Sequence, residues 1–151
     1  MPWQLVDHTA DIGLRIEAPT LPALFEEAAQ ALTSLFVDDP GSVRPRETLD
    51  FELEANDPVE LLLDWLQALL VAFAVRHMLL RDFRVTLEPG TVRASAGGER
   101  ADPTRLRASA GGERADPTRH GLAHEVKAIT YHGLALRETA QGWQAEVLVD
   151  V

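Results

Sequence analysis

The feature that most constrains the fold is the apolar segment that begins near residue 58 and continues to residue 75. Asp57 suits a helix N-cap, Pro58 suits the first helical position, and Glu60 stands three residues after the cap. The residues LLLDWLQALLVAFAV that follow would be apolar on nearly every side of a helix. Such a helix must be covered on most of its surface. The sequence therefore predicts a central helix packed against a sheet, with its outer side available for a subunit contact.

A membrane span is the alternative interpretation of this segment, and two features argue against it. Asp64 and Gln67 interrupt the apolar run, and Arg76 and His77 end it. The uninterrupted stretch is shorter than the ~20 residues that cross a bilayer. We interpret Asp64 and Gln67 as a solvated stripe of the helix rather than as a buried acid site.

Shorter segments on both sides of this helix predict strands and one further helix. Residues 3–7 and 12–18 are predicted strands, and a helix capped by Thr20 follows, with apolar residues from 24 to 36. Alternating patterns predict the later strands, at residues 49–55, 83–87, 92–96, 126–131, 134–137 and 143–149. Strands at both ends with two helices between them indicate an α+β fold. We expect a two-layer domain in which a mixed or antiparallel sheet packs against two main helices.

Composition narrows the classes of function. The chain has 151 residues, 46% of them hydrophobic, which suffices for a single domain over residues 1–151. Its formal net charge of −10 repels phosphate backbones, so strong direct nucleic-acid binding is not expected, whereas a metal ion or a basic partner suits it. The lack of cysteine excludes disulfides and thiolate metal sites. Because no charged-then-apolar leader opens the chain, we expect a cytoplasmic protein without a membrane partner.

A tandem repeat of 14 residues, 93–106 and 107–120, is the most conspicuous feature of the sequence, and its copies differ only as Leu106 against His120. Two short units with few apolar residues do not build a solenoid, and no Gly-Lys-Ser/Thr follows the Gly-Gly pairs, which disfavours a phosphate loop. We interpret the repeat as a duplication tolerated in a loop or hairpin, because closure entropy rises slowly with length. Either copy can supply the strand, and deletion of either should preserve folding and metal binding.

Carboxylates near the two ends of the sequence are the strongest candidates for a metal site. Asp11 lies in DHTADIG, at the turn between the first two predicted strands, and Asp150 follows the last strand. If these strands are neighbours, Asp11, Asp150 and the backbone or terminal oxygens of Val151 form an all-oxygen site, which suits calcium before magnesium. Spacing alone leaves a simpler alternative open, in which Asp11 and Asp150 are unrelated surface residues.

A second candidate site consists of His120 and His124, whose four-residue spacing beside Glu125 would suit zinc on a helix. Gly121 and the strand-like run after it argue against a helix there, and no third ligand is evident. Lys127 stands out for a different reason, since it is the only lysine beside thirteen arginines. A retained lysine indicates either chance or the need for a compact point charge.

Several of these segments together resemble the archease family. The matching pieces are DHTADIG, the LFEEAAQAL and LLLDWLQALL helices, HEVKAITYHGL and a terminal Asp-hydrophobic pair. Their combination is specific, whereas each piece alone is weak, and the resemblance covers the chain apart from the extra copy. It implies a non-enzymatic, chaperone-like activator of the GTP-dependent RNA ligase of tRNA splicing, which promotes ligase guanylylation and multiple turnover.

The resemblance also implies roles for individual residues. The metal site of the family maps onto Asp11, Asp150 and Val151, with calcium the metal usually assigned and magnesium or another divalent cation the alternative. The lysine of the EVKA(I/V)TY motif maps onto Lys127, the residue that composition also singles out. The repeat is the departure from the family pattern, and it ends just before the lysine segment. Two other classes stay open: a metal-dependent phosphoesterase that uses Asp11 and Asp150, and an adaptor module with a structural calcium ion.

Overall fold

The computed structural model of the protein describes residues 2–7, 11–89, 93–94, 100–101 and 103–151. The turn at residues 8–10 and the predicted strand positions Val92 and Ala96 lie outside these ranges. The helices and strands, in chain order, are β1 (Trp3–Asp7), β2 (Asp11–Ala18), α1 (Leu21–Phe36), β3 (Glu47–Ala55), α2 (Pro58–Ala74), β4 (Met78–Pro89), β5 (Arg93–Ala94), β6 (Arg100–Ala101), β7 (Thr104–Arg114), β8 (Ala128–Thr139) and β9 (Gly142–Asp150).

Both helices begin where the sequence predicts, because a polar side chain caps each first turn. The Thr20 hydroxyl accepts a hydrogen bond from the N–H of Ala23 at 3.3 Å. The Asp57 carboxylate accepts one from the N–H of Val59 at 2.9 Å. A proline also occupies the first turn of each helix, where its missing N–H costs nothing. The two predicted helix starts are confirmed.

The strands of the described residues form two main antiparallel sheets. One has the order β1-β2-β9-β8, the other has the order β3-β7-β4, and β5 pairs separately with β6. Both helices contact strands of both sheets, so the helices join the sheets into one core. The predicted α+β fold with two main helices is confirmed, with its strands divided between two sheets.

The centre of the core is the α2 helix, as the sequence predicts. Trp65 is fully buried, and its indole N–H donates to the carbonyl oxygen of Phe25 in α1 at 3.0 Å. Its ring makes edge-to-face contacts with Phe51 of β3 and Phe83 of β4, at centroid distances of 5.2 and 6.2 Å. One side chain of α2 therefore contacts the other helix and two strands of the second sheet.

The outer side of α2 is open to solvent. Asp64 and Gln67 are exposed there, which confirms the predicted solvated stripe. Val71 and Val75 at the C-terminal end of the helix are 53% and 69% exposed. Among the helices described, none is both long enough and apolar enough to cross a bilayer.

The second copy of the repeat supplies most of the central strand of the three-stranded sheet. β7 takes its residues up to Leu106 from the first copy and those from Arg107 onward from the second. Leu106, Ala108 and Ala110 are buried against the core. Arg105 and Arg107 carry ion pairs with glutamates of the two flanking strands on the other face. The duplication is thus part of a strand as well as of the connection before it.

The alternating pattern also suggests a hairpin from residues 83–87 into residues 92–96, and this is not the pairing of β4 in the structure. Of the two copies, either of which can supply the strand, the second lies beside β4. In the structure Leu87 faces Leu106, and the next core-facing residue, Val85, faces Ala108 of the second copy. Because the copies have the same pattern of small and polar residues, both pairings satisfy the alternation rule equally.

The prediction of two strands in the region of residues 126–137 is also wrong, since one strand covers most of it. β8 pairs with β9 on both sides of an interruption between Thr130 and Ala135. Gly133 has a positive φ of 78° within this interruption, a conformation that glycine adopts without strain. The bulge separates the two halves of the apolar pattern, which is why they look like separate strands in the sequence.

Deletion of one copy gives two proteins that differ at a single residue. Removal of residues 93–106 keeps His120 before Gly121, whereas removal of residues 107–120 places Leu106 there. We expect both products to fold, because each retains one complete strand sequence. The second product should be less stable by about 1–3 kcal/mol, because leucine replaces a buried, hydrogen-bonded histidine. Urea denaturation of the pair measures this difference, and equal stabilities would contradict the stabilising role of the buried His120.

Candidate metal centre

The ends of β2 and β9 bring the two predicted metal ligands together. Asp11 is the first residue of β2, Asp150 is the last residue of β9, and the two are direct partners in the antiparallel pairing. Directly opposite residues of antiparallel strands present their side chains on the same face. Val149 is fully buried on the other face, so the two carboxylates lie on the face that points away from the core. Both aspartates are half-buried.

Lys127 lies at the same end of this sheet. Its N–H donates to the carbonyl oxygen of Asp150 at 2.8 Å. The next residue, Ala128, is the direct partner of Asp150 in the pairing of β8 with β9. Asp150 is therefore flanked by Asp11 on one side and by the Lys127 segment on the other. The backbone hydrogen bond fixes the position of Lys127 beside the end of the sheet, and Lys127 is exposed to solvent.

The donor atoms at this end of the sheet are oxygens, which fits a hard divalent cation. Facing carboxylates on Asp11 and Asp150 repel each other at a cost of ~0.2–1 kcal/mol when nothing lies between them. Calcium would relieve this repulsion and prefers such ligands. Within the described ranges, no group of three or more His, Cys, Asp or Glu side chains could hold a metal ion. Main-chain oxygens such as those of Val151, together with water, would therefore have to complete the coordination.

A shallow cleft adjoins the carboxylate pair on the outer face of the four-stranded sheet. Gly13 faces Leu148 in the next outward-facing pair. In the pair after that, Arg15 faces Glu146, with 3.4 Å between Nε and Oε1. Gly133 lines the cleft from β8, and the cavity measures about 280 Å³. Because Leu14, Val147 and Val149 pack into the core on the opposite face, the cleft and the carboxylate pair are open on the same side of the sheet.

A second polar cluster, which the sequence analysis missed, surrounds Glu113 near the end of β7. Glu113 is 5% exposed, and its carboxylate accepts hydrogen bonds from the N–H of Arg44 at 2.5 Å and from the Arg119 guanidinium. The Nε2 atom of His120 lies 3.3 Å from the same carboxylate, and its Nδ1 atom accepts from the N–H of Asp116 at 2.9 Å. Both ring nitrogens of His120 therefore have partners, which leaves neither for a zinc ion.

The segment that follows His120 is extended rather than helical, as its glycine indicates. The N–H groups of Ala123 and His124 donate to the carbonyl oxygens of Phe36 and Leu35, at 3.0 and 2.8 Å. These bonds tie the segment to the C-terminal end of α1 and satisfy carbonyls that the helix leaves without partners. The two histidines therefore do not share a helical face. The sequence feature that could have identified the Glu113 cluster is His120, the one position at which the second copy differs from the first.

Stability is expected to fall in acid because of Glu113. The hydrogen bond from Arg119 is the largest cause that lowers the pKa of Glu113, burial opposes it, and the bonds from Arg44 and His120 lower the pKa further, to about 2. This value lies below the ordinary 4.5. The ionised carboxylate therefore contributes stability above the unfolded-state pKa, and this contribution disappears as the pH falls from about 4.5 towards about 2.

The variant Glu113→Gln tests this origin of the acid sensitivity. We expect it to flatten the free energy of unfolding across that pH window, as measured by denaturation at stepped pH. Glu99→Gln changes the same residue type in the first copy and serves as the matched control. If Glu99→Gln flattened the pH dependence of the free energy of unfolding and Glu113→Gln did not, the buried carboxylate would be that of Glu99 in the first copy rather than that of Glu113.

The fold and the site define an α+β protein with two antiparallel sheets and a carboxylate pair at the ends of two adjacent strands. The model of the archease protein family matches residues 3–151 of the chain. The protein archease of Methanopyrus kandleri is 37% identical to it over the full length of both proteins. The protein archease of Pyrococcus abyssi is 35% identical, over 99% of this chain and 98% of the relative. This protein belongs to the archease family.

Two solved structures have the same fold. The solution structure of a Methanobacterium thermoautotrophicum protein superposes with a TM-score of 0.83 at 28% identity, over 99% of both chains. The crystal structure of a Thermotoga maritima protein described as "an archease, possible chaperone" gives a TM-score of 0.59 at 15% identity, over 98% of this chain and 96% of the other. At that identity the second similarity shows the fold alone.

Proposed function

We propose that this protein is a non-enzymatic, metal-binding activator of the GTP-dependent RNA ligase of tRNA splicing, and that it promotes ligase guanylylation and multiple turnover. The observation that carries the proposal is the meeting of Asp11, Asp150 and Lys127 at one end of the four-stranded sheet. These residues come from segments that are distant in sequence. Membership of the archease family supports the proposal, because the motif residues that suggest this role are the ones that the fold brings together.

Each residue of the site has a distinct part in the proposed role. Asp11 and Asp150 hold the metal ion, with main-chain oxygens of Val151 among the remaining ligands. Calcium, when bound, would neutralise the facing carboxylates and order the ends of the two strands. Lys127 presents a compact positive charge beside this acidic end, at a position that its backbone bond to Asp150 sets. Its ammonium group contacts a phosphate or a ligase carboxylate, assisting guanylate transfer or resetting the ligase without performing the chemistry.

A ligase turnover assay with alanine variants tests the proposal. We expect Asp11→Ala, Asp150→Ala and Lys127→Ala each to reduce turnover towards the rate of the ligase alone. Asp64→Ala is the matched control, because it removes an equally charged side chain from the exposed side of α2. The proposal fails if all three site variants activate the ligase as fully as the unchanged protein does.

The variant Lys127→Arg separates the charge of the lysine from its shape. Arginine keeps the positive charge but replaces a compact ammonium with a planar, larger group. If the site needs a point charge, Lys127→Arg should activate the ligase as poorly as Lys127→Ala.

The same proteins distinguish the two other classes. A metal-dependent phosphoesterase would hydrolyse a phosphate ester in the absence of the ligase and would lose this activity with Asp11→Ala. An adaptor with a structural calcium ion would melt at a lower temperature in a chelator, yet Lys127→Ala would still activate the ligase. Either result would replace the proposed role.

A further inference from the structure

The central strand β7 comes from a sequence that the chain contains twice. Residues 93–100 and residues 107–114 both read RASAGGER. A shift of the chain by one copy would place residues 93–100 between β3 and β4, with every side chain of this stretch unchanged in type. The shift is an even number of residues, so the core-facing positions would stay core-facing.

The two registers differ at buried positions on either side of this stretch. After the shift, Val92 would take the place of Leu106, which is fully buried, and Leu106 would take the place of His120, which is 2% exposed. His120 accepts a hydrogen bond from the N–H of Asp116 and contacts the Glu113 carboxylate. Leucine can do neither, so the buried imidazole favours the register that has the second copy in the sheet.

Two further differences lie at the start of the strand and on its outer face. Gly90, which directly follows Pro89, would take the place of Thr104, so the pairs of Thr104 with Ala55 and Pro89 would be lost or changed. Thr91 would take the place of Arg105, whose guanidinium lies 3.7 Å from Glu54 and 3.9 Å from Glu52. Such partly exposed ion pairs contribute little to stability, because water screens the charges. Among the side-chain differences, the two buried positions therefore contribute most, above all His120, which favours the same register as the pairs at Thr104.

We infer that the chain has a second, less populated folded state in which the first copy forms the central strand, and that His120 selects between the two states. A free-energy difference of a few kcal/mol between two folded states leaves the minor state at about 0.1–10% of the population. Exchange requires the central strand to leave the sheet, so the two states interconvert through unfolding. Each refolding event selects between them anew.

The two states place the extra residues at opposite ends of the central strand. With the second copy in the sheet, the extra residues connect β4 to β7. With the first copy in the sheet, residues 107–120 would connect the strand to Gly121, whose carbonyl oxygen accepts from the N–H of Asp38 at 2.7 Å. The insertion would then adjoin the segment that leads to Lys127. Its effect on the ligase rests on the proposed function, whereas the existence of the second state does not.

Pairs of introduced cysteines report the register, because the chain has no cysteine of its own. Asp50 of β3 directly faces Ser109 of β7, and Ser95 is the equivalent residue of the first copy. Facing Cα atoms in antiparallel strands lie about 4.5–5.5 Å apart, a separation that a disulfide spans. Asp50→Cys with Ser109→Cys therefore reports the second copy in the sheet, and Asp50→Cys with Ser95→Cys reports the first. Each protein is unfolded, refolded in a glutathione redox buffer and analysed by intact mass.

The equilibrium with glutathione gives the effective concentration of each cysteine pair. In the otherwise unchanged chain we expect this concentration to be far higher for the 50–109 pair than for the 50–95 pair. His120→Leu should raise the value for the 50–95 pair about tenfold, because both registers then bury a leucine in the same place. Asp50→Cys with Gln141→Cys joins β3 to the turn between β8 and β9 of the other sheet and gives the background. The inference is overturned if the 50–95 pair stays at background in His120→Leu.

A second set of variants tests the same state without altering His120. Ala110 is 1% exposed on the core face of β7, and Ala96 is its counterpart in the first copy. Ala96→Glu should leave thermal unfolding unchanged. Ala110→Glu should keep a cooperative transition at a lower temperature, with the 50–95 crosslink now dominant, because the first copy takes over the strand. The double variant has no intact copy and should lose the transition. If Ala110→Glu unfolds as completely as the double variant, the second state does not exist.

Discussion

Replacement of Trp65 with alanine is expected to lower the free energy of unfolding by about 4 kcal/mol. The side chain is fully buried in α2, so its removal leaves a large cavity between the helices and the three-stranded sheet. The change also removes the indole N–H that donates to Phe25 and the edge-to-face contacts with Phe51 and Phe83. Urea denaturation measures the loss, because the apolar core should unfold in one transition.

The variant Trp65→Phe separates packing from hydrogen bonding at this position. Phenylalanine keeps an aromatic ring in the core but leaves the Phe25 carbonyl without the indole donor, so we expect a smaller loss, of about 1–2 kcal/mol. A loss below about 1 kcal/mol for Trp65→Ala would contradict the placement of α2 at the centre of the core.

Calcium is expected to reverse the effect of neutralising Asp150. In the presence of a chelator, Asp150→Asn removes the repulsion from Asp11 and should raise the melting temperature by about 1–3 °C. At a calcium concentration one hundred times the dissociation constant, the unchanged protein should gain about 2.7 kcal/mol, or about 5–10 °C, which the variant lacks. The variant is therefore the more stable protein without calcium and the less stable one with it.

Thermal unfolding in matched chelator and calcium buffers measures this reversal. Asp64→Asn is the control, since it makes the same change of charge at an exposed position on α2 and should preserve the calcium shift. A full calcium shift in Asp150→Asn would show that the carboxylate pair does not hold the ion. A shift with magnesium as large as that with calcium would instead assign a different metal to the same residues.

Local signals in the sequence were sufficient for the helices and for the choice of candidate ligands. Thr20 and Asp57 are followed directly by the helices that they cap, so each start could be predicted from neighbouring residues. The pairing of Asp11 with Asp150 could not be predicted in this way, because it depends on which strands are neighbours. From the sequence, the pairing followed only if the strands that carry Asp11 and Asp150 were neighbours, and in the structure β2 and β9 are neighbours.

The central strand of the second sheet was beyond prediction for a physical reason. Residues 93–100 and 107–114 are identical, so neither propensity nor alternation distinguishes them. The distinction depends on His120, whose partners Glu113 and Asp116 become its neighbours only in the folded chain. A residue that looks like a minor variation of the repeat therefore marks the copy that enters the sheet.

A calcium titration coupled to ligase turnover tests most directly whether a metal ion held by Asp11 and Asp150, with Lys127 beside it, serves ligase activation. Calorimetry gives calcium binding, and the same calcium series gives turnover. We expect binding and activation to saturate together, Asp150→Ala to abolish both, and Lys127→Ala to abolish activation while calcium still binds. Full activation in the presence of a chelator, or by Lys127→Ala, would contradict this role.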